Sequence, residues 1–237
     1  MASTQSSNWR DELEQRAPAR WSIRFIQNHN LQLPNHRWGF ALYRTVYAPA
    51  VSDEDFAKIL ERIKKIVAFI FSRERLLRNH SLDPEPDVIA AETFHLVVFE
   101  DQTLNGASLV DVQDRFKKYM RDGIEGSSLD IGNPVCLVVD SVSAKSILEA
   151  PEPSVENDRY GPTAARIRLV DAGDGDESDD EEESDEESDK DPWDGLMETH
   201  VSTLPDLYNN VVTLMQTEEE RRPRKTTAGG LPLYVSL

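Results

Sequence analysis

Apolar residues alternate along Arg37 to Tyr47, R-W-G-F-A-L-Y-R-T-V-Y, more regularly than anywhere else in the chain. Trp38, Phe40, Leu42 and Val46 fall on one face of an extended segment and Ala41, Tyr43, Thr45 and Tyr47 on the other. The pattern predicts a strand covered on both faces, as in the interior of a sheet. Gly39, set between two aromatics, predicts a close approach by a neighbouring group. Arg44 interrupts the first face, and a permanently charged guanidinium there requires a carboxylate or several carbonyls. Asp140 is the partner expected for it.

The pattern continues in both directions. Residues 8–30 suggest two short helical pieces broken near Pro18, and Pro34-Asn35 turns the chain into the Trp38 strand. Phe56, Ile59, Leu60, Ile63, Val67 and Ile70 recur at three and four, with Ser52 and Asp55 as a capping box, which predicts a long helix. Pro84 and Pro86 mark a loop, and F-H-L-V-V-F at Phe94 to Phe99 a second strand. Ser108 with Asp111 opens another helix, with Leu109, Val112 and Phe116 inward and Arg115, Lys117, Lys118 and Arg121 outward. Val135 to Asp140 is a third strand, Ser143 to Leu148 a helical turn, and Arg166 to Val170 a fourth strand, with Ile167 and Leu169 inward and both arginines outward. Trp193 to Val201 is compatible with a fifth strand. Thr203 and Asp206 predict a capped helix, and the final L-P-L-Y-V-S-L an edge strand that tolerates Pro232.

These elements make an α+β domain: a single, mostly antiparallel sheet with helices packed on one face. Residues 1–30 form a partly disordered or helical arm. Residues 31–237 form the domain, and residues 174–191 are a disordered acidic insertion within it.

Charge sharpens this division. The formal charge of the 237 residues is −18. Residues 174–191, D-G-D-E-S-D-D-E-E-E-S-D-E-E-S-D-K-D, hold thirteen acids against one Lys, a net −12, which leaves −6 for the rest. Such a tract has no apolar area to bury and stays solvated. Residues 1–50 run the other way, with six Arg against three acids. The first residues show neither a signal peptide nor a presequence pattern, and the longest apolar runs fall far short of the ~18 residues needed to cross a bilayer. A soluble protein of the cytoplasm is expected, with no membrane partner. The lone Cys136, inside V-C-L-V-V, is expected as a small buried thiol.

Several constellations qualify as sites. Ser178, Ser184 and Ser188 each precede an acid by three residues, the context an acidophilic kinase prefers, and are candidate phosphorylation sites. Arg221, Arg222, Arg224 and Lys225 form a candidate nuclear-import signal, the alternative to a purely cytoplasmic location. Acids close several strands; Glu100, Asp101 and Asp140, with Asp171, are candidates for a carboxylate site, weighed against ordinary turn chemistry. The five histidines, His29, His36, His80, His95 and His200, have no ligand-type spacing, and no phosphate-cradling or nucleophile-elbow motif occurs. No cofactor is expected. Nucleic-acid binding lacks a broad basic footprint, and Trp9, Trp21 and Trp38 are better placed as packing residues.

Four segments then fall into a familiar order: W-G-F-x-x-Y-R-x-x-Y at Trp38 to Tyr47, E-D-x-x-L-N-G-A-S-x-x-x-V-x-x-x-F at Glu100 to Phe116, C-L-V-V-D at Cys136 to Asp140, and D-G-L-M with L-P-D-L-Y between Asp194 and Tyr208. In this order the chain resembles a large family of uncharacterised filamentous-fungal proteins. The resemblance implies one compact domain and carries no catalytic assignment. Where it implies W-M-K-V after the acidic tract, this chain has L-M-E-T at Leu196 to Thr199, which leaves the sheet edge there open. The function expected is a non-enzymatic protein-interaction module with a charge-tunable acidic loop, its partner a basic protein surface. The alternative is a hydrolase or nuclease-like enzyme using the strand-end carboxylates.

Overall fold

A computed structural model describes residues 20–78, 82–122, 134–157, 163–172, 195–210, 225–226 and 232–234. The strands are β1 (Trp38–Arg44), β2 (Phe94–Glu100), β3 (Val135–Val139), β4 (Arg166–Asp171), β5 (Leu196–His200), β6 (Lys225–Thr226) and β7 (Pro232–Tyr234). The helices are α1 (Trp21–Asn28), α2 (Asp53–Arg78), α3 (Glu85–Glu92), α4 (Leu109–Asp122), α5 (Ser141–Glu149) and α6 (Leu204–Tyr208). The seven strands among the described residues join one sheet in the order β2-β1-β3-β4-β5-β7-β6.

The α+β class and the single sheet agree with the sequence reading, and two details differ from it. Pairing is evenly mixed: β1 runs parallel to β2 and β3, and β5 to β7, while β3-β4, β4-β5 and β6-β7 are antiparallel. Helices also cover both faces. Phe25, Phe56, Ile59, Ile63, Ala90, Ile147 and Leu207, from α1, α2, α3, α5 and α6, join Trp38, Phe40 and Leu42 in the larger core. Val112 and Phe116 of α4 instead join Ala41, Tyr43, Cys136 and Val170 on the opposite face. The reason is the handedness of crossovers. From β1 the chain steps one way to β2, then back across β1 to β3, so two connections of the same hand lie on opposite faces.

Strand β1 is buried along its whole length and paired on both sides, as its two-faced pattern requires. Trp38 packs against Phe94, Phe25, Tyr208 and Phe71 at ring-centroid distances of 4.6, 4.9, 5.4 and 5.7 Å, and its indole N–H donates to the Ala90 carbonyl at 2.7 Å. Gly39 has φ +150°, and a Cβ there would stand 1.7 Å from the His95 carbonyl oxygen of β2. Both predicted caps form, and the second closes as a reciprocal box. Ser52 Oγ accepts from the Asp55 N–H at 3.1 Å, and Ser108 Oγ from the Asp111 N–H at 3.1 Å, with Asp111 Oδ2 accepting back from the Ser108 N–H at 2.9 Å.

Other elements depart from expectation. Pro86 opens α3 instead of ending order, because a proline in the first helical turn removes only an N–H that would be unpaired anyway. Thr203 does not cap α6: its hydroxyl donates to the His200 carbonyl at 2.7 Å and lies 2.6 Å from the Thr199 hydroxyl. L-M-E-T does form a strand, since β5 pairs with β4 across five residues. The C-terminal strand β7 is flanked by β6 and is therefore not the edge. Residues 1–19, with the expected arm and the Pro18 break, lie outside the described residues.

Candidate functional site at the strand ends and the stem of the acidic insert

The parallel register brings the carboxyl ends of β1, β2 and β3 to one rim, with Arg44 opposite Glu100 and Val139. The connections leaving β1 and β2 go to opposite faces, which leaves a gap between their ends. Arg44 fills it. Its guanidinium is 2 % exposed and lies 4.4 Å from the ring centroids of both Tyr47 and Phe56. Nε donates to the Val46 carbonyl at 2.9 Å and Nη2 to the Val51 carbonyl at 3.3 Å. Nη1 meets Glu100 at 2.9 Å and Asp53 at 2.8 Å. The buried pair expected between Arg44 and Asp140 is therefore not formed. The adjacent parallel strand offers Glu100 in direct register, and Asp53 arrives with the first turn of α2.

Asp101 and Asp140 share that rim but serve other partners. Asp101 caps the turn at Thr103, accepting its N–H at 2.9 Å, and pairs with Arg115 of α4 at 2.8 Å. The Thr103 hydroxyl and N–H, with the Arg115 guanidinium, hold its carboxyl down to about 2. Asp140 caps α5 by accepting the Ser143 N–H at 2.7 Å and stands 3.5 Å from Arg168 Nε. Asp171 is fully buried at the opposite end of the sheet, across from Val135 at the start of β3. The three rim carboxylates thus answer three different arginines. Among the described residues no group of three or more His, Cys, Asp or Glu is arranged to hold a metal ion.

Arg166 and Arg168, expected to face solvent, instead enclose Glu198 of β5. Arg168 meets it at 3.1 Å and Arg166 at 3.3 Å, and Arg168 is only 9 % exposed. The register sets Arg168 directly opposite Glu198. A period-two pattern identifies the face but not what covers it. Paired with Asp140 as well, Arg168 forms a compensated cluster of the kind that buried charge requires.

The most distinctive local geometry lies where the acidic insert leaves and re-enters the sheet. The Asp171 N–H donates to the Gly195 carbonyl at 2.8 Å, and the Ala172 N–H to the Pro134 carbonyl at 2.8 Å. From α4, Gln113 Nε2 donates to the Asp171 carbonyl at 2.8 Å. Gly195 has φ +75°, and a Cβ there would stand 2.7 Å from Gln113 Nε2 and 2.8 Å from the Asp171 oxygen. Glycine is therefore required on two counts, left-handed backbone and space. Gln113 and Gly195 escaped the sequence reading. The Asp194-Gly195 dipeptide was the available signal for a turn, while nothing local marks Gln113.

Ser178, Ser184, Ser188, Arg221, Arg222 and Arg224 lie outside the described residues, and Lys225 begins β6. Cys136 is buried, and desolvation pushes its thiol well above the ordinary range, the state of an inert thiol. No described helix is long and apolar enough to cross a membrane. No protein-family model, no curated protein and no solved structure matches this chain.

Proposed function

We propose that this protein is a non-enzymatic interaction module that presents residues 174–191 as a charge-tunable contact for a basic protein surface. The observation that carries this reading is the stem. Strands β4 and β5 are antiparallel neighbours, a pairing that ordinarily takes a loop of about two to five residues. Here residues 172–195 intervene, with their two ends hydrogen-bonded to each other and to α4. A tract of net −12 is thus inserted between two strands whose facing ends form a hydrogen-bonded, glycine-dependent base. The engagement of Glu100, Asp101 and Asp140 by separate arginines supports a structural role for those acids and favours binding over carboxylate-based hydrolysis.

Phosphorylation of Ser178, Ser184 and Ser188 would add roughly −5 to −6 charge at pH 7 and strengthen attraction to a basic surface. The partner is protein, not membrane or nucleic acid, and the site of action is cytoplasmic, extending to the nucleus if Arg221 to Lys225 directs import. The test is capture from native extract with the intact chain and with a chain whose residues 174–191 are replaced by an uncharged Gly/Ser linker. Loss of basic partners on replacement supports the reading; an unchanged set of partners removes it. Fusing residues 217–230 to a fluorescent reporter tests import, and uniform distribution of the reporter would refute it.

A further inference from the structure

Some cations on the described surface have a partner, and others, such as Arg24, Arg37, Lys64 and Lys145, stand singly without an ion pair among the described residues. Lys58 meets Glu54 and Asp55, Lys65 meets Glu61, Arg62 meets Glu152, and Arg115 meets Asp101. The outer flank of α4 gathers three unpaired cations within five positions. Lys117, Lys118 and Arg121 are all exposed, and none has an ion pair among the described residues.

This flank adjoins the stem. Gln113, which holds the Asp171 carbonyl, lies one helical turn before Lys117 and about two before Arg121, on the same side of α4. At 1.5 Å rise per residue these cations lie roughly 6 and 12 Å along the axis from the anchor. Asp174 is three residues beyond Asp171, within ~11 Å of it even when fully extended. The first acids of a tract carrying net −12 are therefore tethered within roughly two to three Debye lengths of the helix flank. Two fixed ends also hold the tract beside α4 at an effective concentration of order millimolar, which lets individually weak ion pairs act together.

We propose that the Lys117-Lys118-Arg121 flank of α4 is a docking surface for a carboxylate-rich segment, and that its occupant is this chain's own residues 174–191. The contact is electrostatic and within one molecule. It competes with any outside basic partner for the same carboxylates, and with outside acidic segments for the same cations. Phosphorylation of the tract tightens it. The contact does not depend on an outside partner, so the capture experiment above and the test below fail independently.

The test uses a fluorescent peptide of residues 174–191 and three full-length chains: the intact one, one with residues 174–191 replaced by a Gly/Ser linker of equal length, and that linker chain carrying K117E, K118E and R121E. The peptide is expected to bind the linker chain, to bind the charge-reversed chain at least tenfold more weakly, and to lose about tenfold in affinity between 50 and 300 mM salt. It is expected to bind the intact chain at least tenfold more weakly than the linker chain, because the surface is already filled. No binding to the linker chain, or equal binding to the charge-reversed chain, overturns the surface. Equal binding to the intact and linker chains overturns the intramolecular occupant and leaves the flank open to a second copy. A K117Q, K118Q and R121Q chain repeats the comparison should charge reversal impair folding. Carbodiimide crosslinking of the intact wild-type chain needs no variant: Lys117 or Lys118 should join acids of residues 174–191 within one monomer, and their absence from the crosslinks counts against the contact.

Discussion

Gly39 and Arg44 show how much one residue in β1 carries. At Gly39 the His95 carbonyl occupies the space of a Cβ, so G39A forces β1 and β2 apart. We expect a loss of about 3 kcal/mol or more, or no folded protein, measured by urea denaturation. Arg44 is held chiefly by two rings and two carbonyls, while its carboxylate partners Asp53 and Glu100 remain 94 % and 53 % exposed. Water can re-solvate those acids but cannot fill the ring sandwich. R44A is therefore expected to cost about 2–4 kcal/mol and E100Q under about 1 kcal/mol, and the reverse order would refute this account. His29 sits against Phe25 at 4.5 Å and Tyr208 at 4.9 Å, and burial lowers its pKa to about 4 despite a hydrogen bond to Asn209. The folded state favours neutral imidazole, so its contribution is complete above the unfolded value near 6.5 and is lost as pH falls toward 4. The stability difference between wild type and H29Q should narrow across that window and stay level above pH 7.

At the scale of elements, capping and periodicity account for where helices begin and which side they bury. The α4 box is reciprocal: Ser108 and Asp111 each satisfy the other's backbone N–H. S108A is expected to destabilise by about 1 kcal/mol in thermal unfolding. Helix α3 was invisible to periodicity because its eight residues, E-P-D-V-I-A-A-E, give too few turns to define a stripe. Its place depends on contacts distant in sequence. Asp87 accepts from Ser22 Oγ at 2.8 Å and from Arg75 Nε at 2.9 Å, tying α1, α2 and α3 together. The missed Thr203 cap has a similar origin, because buried Thr199 and the His200 carbonyl claim a hydroxyl that local spacing assigns to α6.

For the whole molecule, the acidic insert is, under the proposed function, an addition to the sheet and not a part of its core. Loop-closure entropy changes by only about 0.6 kcal/mol for each doubling of length. Shortening residues 174–191 to a few Gly/Ser residues, with Asp171, Ala172 and Gly195 retained, should therefore leave stability unchanged or raise it by up to about 1 kcal/mol, part of the gain coming from relief of self-repulsion. A large loss in a urea titration would mean that the tract packs into the body of the protein.

Local chemistry accounts for what could be seen in the linear chain. Alternation placed Trp38, Phe40 and Leu42 on one buried face, the 3.6-residue period marked α2 and α4, and Gly39 announced a close approach. Each of these signals is carried by neighbours a few residues apart. Pairing direction, the second helical face, the Arg44-Glu100 contact and the Gln113-Asp171-Gly195 stem join residues tens of positions apart, and their partners follow from crossover handedness and register. A guanidinium advertises in the sequence that it needs acids, but which acids it meets depends on which strand end folding sets beside it.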